Sequence, residues 1–466
     1  MWLLITFTEA QEKWSLLKCV EYAMANNISI RQIDLQTRLA AIQQRQGKLS
    51  QIPSLTFAGG PSFNSGRNQD PTSFSLITQN YLSANMQLQS SVEIFNWFSK
   101  KNTIAAYEWE LEAAKANSDK LKNDISLAVA NAYLQVLLAK SQEDIIRIQV
   151  EQSKVQLDKT RKMVDAGSLP ELNATNLEAS FANDSAAYIT AKGAFTQSVL
   201  VLKAYMNFDA AAPFEVDTPP ADAIPLLNIA DLQPDVVYTS AIANQPLQKS
   251  NEFRLKAAQK NALAARGAMY PTISAYATLG SGYNSRSEEI VSSSQIIAPF
   301  ANVTVNGTSY NVFPIQPFTS YTYGKTTLFN QFNQNFRQSI GLNINVPIFT
   351  GGTLRANWER SKINVENLSL QKDLDNQNLK QNIYQAYNAA MVAMEKFNAS
   401  QKSVSASELT YSYAQKRFDV GMLSNFDLVI TKNNVTTAKL QYTLNQFDYI
   451  FKMKVLEFYK GQGLKL

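Results

Sequence analysis

The chain is 466 residues long, enough for several ordinary domains or for one elongated architecture. Only 17% of its residues are charged, against about 25% in an average soluble domain, and its formal net charge of +5 is scattered rather than clustered, which excludes a nucleic-acid footprint. With no histidine and one cysteine, the commonest general base, an internal disulfide and a thiolate zinc site are all excluded.

No phosphate-binding glycine loop, nucleophile elbow or metal-ligand cluster is written in the chain, so it reads as a non-enzyme without cofactor or metal. The opening Met1–Phe7 is apolar but lacks a basic leader. Residues 1–13 read as a lead-in or the remnant of a secretion signal. Cys19 is expected to be a half-buried helical thiol, since Lys18 beside it argues against a lipid-anchored cysteine.

Trp14–Gln46 reads as one helix, ended by Gly47 and Pro53. Pro53–Phe63 alternates weakly, and Asn64–Asp70 reads as a turn-rich loop. Leu82–Ile94 alternates strictly. Leu82, Ala84, Met86, Leu88, Val92 and Ile94 fall on one face; Ser83, Asn85, Gln87, Gln89, Ser91 and Glu93 fall on the other. This predicts a β-strand between two different surroundings, long enough to cross a bilayer at a tilt. It closes a hairpin over residues 53–96.

From Ser99 to about Ala166 the period is helical, and Gly167-Ser168-Leu169-Pro170 ends it. A second helix runs from about Glu171 to Asn207. Residues 209–234 hold five prolines (Pro213, Pro219, Pro220, Pro225 and Pro234) and no sustained period, as a linker would.

The plan then recurs over residues 235–460. Ala23 and Pro53 return as Ala241 and Pro271; Tyr133, Asp165, Gly167 and Tyr188 return, at a larger offset, as Tyr387, Asp419, Gly421 and Tyr442. The extra residues of the second copy fall between its two strands, predicting a hairpin over 271–350 with a long outer loop at 284–335. Its second strand is read at Ile340–Ile348, with Asn343 and Asn345 on the polar face, and the long helices at 353–460. Residues 461–466 are a tail. The unit of helix, hairpin, long helix, tight turn and helix therefore occurs twice.

Four amphipathic strands cannot close a barrel, and open edges cannot face lipid. Closure needs further chains: two give eight strands and three give twelve. The polar face (Asn85, Gln87, Gln89, Glu93, Asn343, Asn345) would then line the lumen. A soluble β-sandwich with one wet face, or a soluble coiled-coil scaffold, explains only part of this pattern.

Trp97-Phe98, standing where the second copy has Gly351-Gly352, suit a bilayer interface or simple packing. Tyr321, Tyr323, Phe329, Phe332 and Phe336 suit an outer aromatic girdle or the ordering of the loop.

Trp14-Ser15-Leu16 leading to Ala25-Asn26-Asn27, the stretch Val346-Pro347-Ile348-Phe349 with Gly351-Gly352, and Lys416-Arg417-Phe418-Asp419-Val420-Gly421 followed by Asp427 resemble the TolC-type outer-membrane efflux factors, over about residues 14–460. The resemblance implies a membrane α+β fold. Four strands per protomer join a twelve-stranded trimeric barrel in the outer membrane of a Gram-negative cell, continued by an α-helical barrel in the periplasm, with the linker in an equatorial belt. It implies a homotrimer in outer-membrane lipid. This would be a passive exit duct for substrates delivered by a periplasmic adaptor and an inner-membrane pump; a type I protein-secretion duct would share the architecture.

It further implies that Gly167, Ser168, Leu169, Val420, Gly421, Met422 and Leu423 contact the adaptor. It implies too that Asp427, six positions after the turn glycine, forms a ring in a pore gate. The equivalent position in the first copy is Asn173, and a second ring position falls on Ile430. Both glycines also read as plain helix stops, and Asp427 as a solvated residue favourable to a helix N-terminus.

Overall fold

A computed structural model describes residues 13–69 and 74–461. The expected lead-in up to Glu12 and the tail after Gly461 lie outside these residues. In chain order the first copy contains α1 (Leu16–Asn26), α2 (Ile28–Leu49), β1 (Ser54–Gln69), β2 (Leu76–Phe95), α3 (Ser99–Asp165) and α4 (Glu171–Met206). The second contains α5 (Pro234–Asn244), α6 (Pro246–Gly267) and β3 (Thr272–Asn284). It continues with β4 (Glu288–Ile296), β5 (Ala301–Val305), β6 (Thr308–Val312), β7 (Phe318–Lys325), α7 (Leu328–Gln334), β8 (Arg337–Asn345), α8 (Thr353–Asp419) and α9 (Asn425–Lys460). Helix lengths repeat between copies: 11 residues in α1 and α5, 22 in α2 and α6, 67 in α3 and α8, 36 in α4 and α9. At 1.5 Å per residue, α3 and α8 each rise about 100 Å.

The chain divides into two units. One holds the residues up to Gln44, Ala105–Lys260 and those from Ser361 onward. It is helical, and its core gathers where the short helices meet the long ones. Leu16, Cys19 and Ala23 of α1 pack with Val129, Tyr133 and Val136 of α3, Leu202 and Met206 of α4, and Phe447 and Ile450 of α9. A second cluster repeats this plan with Val237 and Ala241 of α5, Leu379 and Ile383 of α8, and Met453 and Leu456 of α9. Cys19 is fully rather than half buried, and burial pushes its thiol up to about 12.

The single helix expected over residues 14–46 is instead two. Asn27 leaves the helical region (ψ 127). Its side chain accepts from Ser29 N (2.9 Å), capping α2, and donates to the carbonyl of Tyr205 (2.9 Å) at the end of α4. Gln245 breaks the second copy at the equivalent place, donating to the carbonyls of Phe458 and Tyr459. A tertiary bond thus selects the break, and helical periodicity runs through it unmarked.

The proline-rich linker has no regular structure beyond short 3₁₀ turns at Ala221–Ala223 and Ile229–Leu232. Four of its carbonyls accept from side chains reaching out of the helices. Lys203 donates to Ala210 O (3.0 Å) and Ala212 O (2.6 Å), Tyr133 to Asp217 O (2.6 Å) and Lys454 to Pro225 O (2.6 Å). Lys454 is also paired with Glu457 (2.8 Å), whose other oxygen accepts from Leu227 N (2.9 Å); both side chains are buried.

The other unit holds Arg45–Ile104 and Asn261–Arg360. Its main sheet is antiparallel, in the order β1-β2-β3-β8. The register sets Phe57 opposite Leu88, Leu88 opposite Leu279, Ala275 opposite Leu342 and Ile273 opposite Ile344. Most apolar positions of the four strands therefore share one face, with Ala58 and Ile77 on the other. The polar face carries Gln89 opposite Thr278, Glu93 opposite Ser274, Ser274 opposite Asn343 and Thr272 opposite Asn345.

Three expectations change here. Asn64–Gln69 is strand rather than loop, because Asn64 pairs with Tyr81 and Gln69 with Leu76, and the ladder overrides local turn preference. The last strand ends at Asn345 rather than Ile348, since Pro347 has no N–H to donate. The insertion at 284–335 is not one long loop but the hairpins β4–β7 and β5–β6 followed by α7.

At the strand-to-helix junctions, Gly351 and Gly352 take left-handed φ values of +61° and +78°. Trp97 and Phe98 take the same conformation at +51° and +62° despite their side chains, which costs about 1–2 kcal/mol per residue. Ring contacts of Trp97 with Tyr270 (5.0 Å) and Phe95 (5.5 Å), and of Phe98 with Phe95 (5.9 Å), offset part of that cost.

Candidate functional site

The two long helices end in the same way. Gly167 N–H donates to Val164 O (2.8 Å) and Ser168 N–H to Met163 O (2.8 Å); Gly421 N–H donates to Phe418 O (2.9 Å) and Met422 N–H to Arg417 O (2.8 Å). These bonds define the Schellman stop, in which the residue past the helix is left-handed. Gly167 and Gly421 have φ of +75° and +74°, and a Cβ added to either meets open space. The constraint is therefore conformational and not steric. Gly421→Ala is expected to cost about 1–2 kcal/mol, read as a fall in melting temperature. Alanine at exposed Gly193, inside α4, is expected to gain up to about 1 kcal/mol in the same assay.

The turns present apolar side chains to the outside. Val420 and Met422 are exposed, and Leu169 and Leu423 are half-buried. Phe426 and Leu172, at equivalent positions of the two following helices, are also exposed. Sequence reasoning passed over this last pair, although the repeat offset aligns them.

Asp427 sits at the third position of α9. Its backbone N–H donates to Ser424 Oγ (3.1 Å), and that hydroxyl donates to Asp427 Oδ2 (2.7 Å). The arrangement is a variant of the capping box, so Asp427 serves as a helix-start residue and keeps an exposed carboxylate. Ile430, also exposed, follows at i+3 on the same face. Asn173 occupies the matching third position of α4. It is half-buried, and its N–H donates to Pro170 O (3.0 Å). Asp427 is thus bonded to its own cap rather than to Asn173.

Behind the turns the helices are tied by polar groups that the sequence does not flag. Lys432 of α9 donates to Ser153 Oγ (2.7 Å) and Gln149 O (3.3 Å) of α3. Gln149 (2.6 Å) and Ser153 both donate to Asp184 of α4. Burial holds the Lys432 ammonium below the usual lysine range, opposed by the Asp184 charge. Lys159 pairs with Asp419 (3.6 Å), Lys439 with Glu408 (2.7 Å), and Arg161 with Glu178.

In the sheet unit, Asn85, Gln87, Gln89, Glu93, Asn343 and Asn345 share the polar face set by the register. Glu93 pairs with Lys100 of α3 at 3.1 Å.

The model of a family described as outer membrane efflux protein matches residues 20–207 and 237–450, one stretch in each copy. The outer membrane efflux protein BepC of Brucella suis biovar 1 (strain 1330) is 23% identical over 393 residues, covering 84% of this chain and 73% of that protein. Among solved structures, CusC superposes with a TM-score of 0.76 at 17% identity, covering 96% of this chain and 92% of its own. The CmeC outer membrane channel of Campylobacter jejuni superposes with a TM-score of 0.74 at 17% identity, covering 97% and 86%. The repeated helix lengths, the two-faced sheet and the family match agree: the chain belongs to the outer membrane efflux protein family, has the TolC-like α+β fold and resides in the outer membrane of a Gram-negative cell.

Proposed function

We propose that three copies of the chain form a passive outer-membrane exit duct, with twelve strands closing one barrel and the helices continuing it through the periplasm. The observation that carries this reading is the sheet. Its apolar face has no cover among the described residues: Ile340 is 86% exposed, Leu342 66% and Ile344 63%. Its edge strands β1 and β8 have open ladders. An apolar face fits lipid, whereas an open edge in lipid leaves N–H and C=O groups unpaired at several kcal/mol each. Pairing β8 of one copy with β1 of the next removes every edge. Two copies give a barrel filled by its own side chains, and three leave room for a channel.

In this reading an adaptor engages the turns at Gly167–Leu169 and Val420–Leu423, and an inner-membrane pump supplies the energy. Asp427 of each copy faces the narrow neck, with Ile430 behind it and Asn173 at the matching place in the first copy. Three carboxylates there favour cations. Opening moves packed helices and makes no chemical bond.

Cross-linking in detergent should trap trimers; a ladder that stops at dimers overturns the stoichiometry. In planar bilayers, Asp427→Ala should raise conductance and abolish cation preference and divalent block. Asp427→Asn, which keeps an acceptor for Ser424 and loses the charge, should also abolish the preference. Unchanged currents in both variants would sink the gate assignment.

A further inference from the structure

Glu93 is the one carboxylate among the described residues of β1, β2, β3 and β8. The register places it on the polar face, opposite Ser274. The rest of that face is mostly amide, hydroxyl and glycine, with Ala58, Ile77, Tyr81 and Tyr276 and, on β8, Arg337. Glu93 does not stand bare. Lys100, in the first turn of α3, reaches its Oε2 at 3.1 Å and also donates to Ser50 O (2.9 Å). The two side chains are 32% and 23% exposed, on the wall of a crevice of about 670 Å³ lined by the hydroxyls of Ser54, Ser91, Thr272 and Ser274 and by apolar Ile52 and Val92.

We infer that Lys100 is a specificity-determining residue: by pairing with Glu93 it removes the only carboxylate from the barrel's polar face, so the barrel itself gives cations no advantage. The inference rests on the trimeric-barrel reading, in which this face lines the lumen and the pair recurs three times around it. A bare carboxylate within a Debye length of the pore axis raises the local cation concentration, whereas a contact ion pair presents only a dipole. The barrel face then carries no uncompensated negative charge, Arg337 being its remaining charged side chain, and any preference for cations originates at the helix turns.

Reversal potentials in a salt gradient test this, measured in an Asp427→Asn background so that the Asp427 carboxylate adds no cation preference of its own. Lys100→Met should raise the cation-to-anion permeability ratio at least twofold. Glu93→Gln, which strips Lys100 of its partner, should lower it by a similar factor. The double variant should return to the background value. Trimeric, conducting channels whose ratio is the same in both single variants overturn the role of Lys100 and leave the barrel standing. Absence of trimers and currents in the unmodified protein instead overturns the barrel reading, and this inference with it.

Discussion

Leu342→Arg should abolish assembly in the outer membrane, while Asn343→Arg, one residue on, should leave assembly intact. Leu342 lies on the apolar face beside Ala275, and Asn343 on the polar face beside Ser274. An arginine on the lipid face of a barrel costs about 2–4 kcal/mol at the bilayer midplane and less toward the interfaces. In a trimer the cost is incurred three times, up to about 6–12 kcal/mol, which is comparable with the whole margin of a typical folded protein. The same side chain in an aqueous lumen keeps its hydration. Outer-membrane fractionation and heat-modifiable trimer bands on mild gels measure the outcome. Equal assembly of the two variants would mean that the faces are not lipid and water.

Lys454→Met should destabilise the helical unit by about 3–5 kcal/mol. The Lys454 and Glu457 side chains are 3% and 6% exposed, so solvent cannot take over from the missing partner. The variant leaves the Glu457 carboxylate with Leu227 N as its remaining partner and strips Pro225 O of its donor. The lost bond to Pro225 O holds the linker against α9, and the lost ion pair lies within α9 beside the Glu457 oxygen that accepts from Leu227 N. Lys454→Met with Glu457→Met should cost less than the single change, because no unpaired charge remains buried. Thermal unfolding followed by circular dichroism in detergent gives both values. A single variant that melts with the parent would show that the linker's other ties, the apolar contacts of Leu232 among them, hold it without Lys454.

The duplication was legible in the residues, and so were the ends of the long helices. Gly167 and Gly421, each with proline or serine soon after, stop α3 and α8 by local backbone preference, which needs no distant partner. The face of each strand was legible for the same reason, since side chains alternate with a period of two whatever the strand pairs with.

The start of α9 was legible only in part. Asp427 was singled out by the family resemblance, but its bond to Ser424 was not foreseen, although Ser-x-x-Asp at a helix start is a local signal. The Lys432–Ser153–Asp184 network was out of reach, because residues 184 and 432 meet only once three helices have packed.

By itself, then, the sequence determined the elements whose causes lie within a few residues: helix stops at glycine, strand faces, the repeat and the charge-poor surface. Only the tertiary structure decided the break at Asn27, made by a bond to Tyr205, and the extension of β1 through Gln69, imposed by its ladder with β2. It alone decided the pairing of β4 with β7 and of Lys100 with Glu93, whereas the β5–β6 hairpin turns on Asn306-Gly307, a local signal passed over in the sequence. In each tertiary case, a polar group on another element supplies the partner that local preference lacks. Such bonds contribute only when the entropy of bringing their ends together has already been met by the rest of the fold.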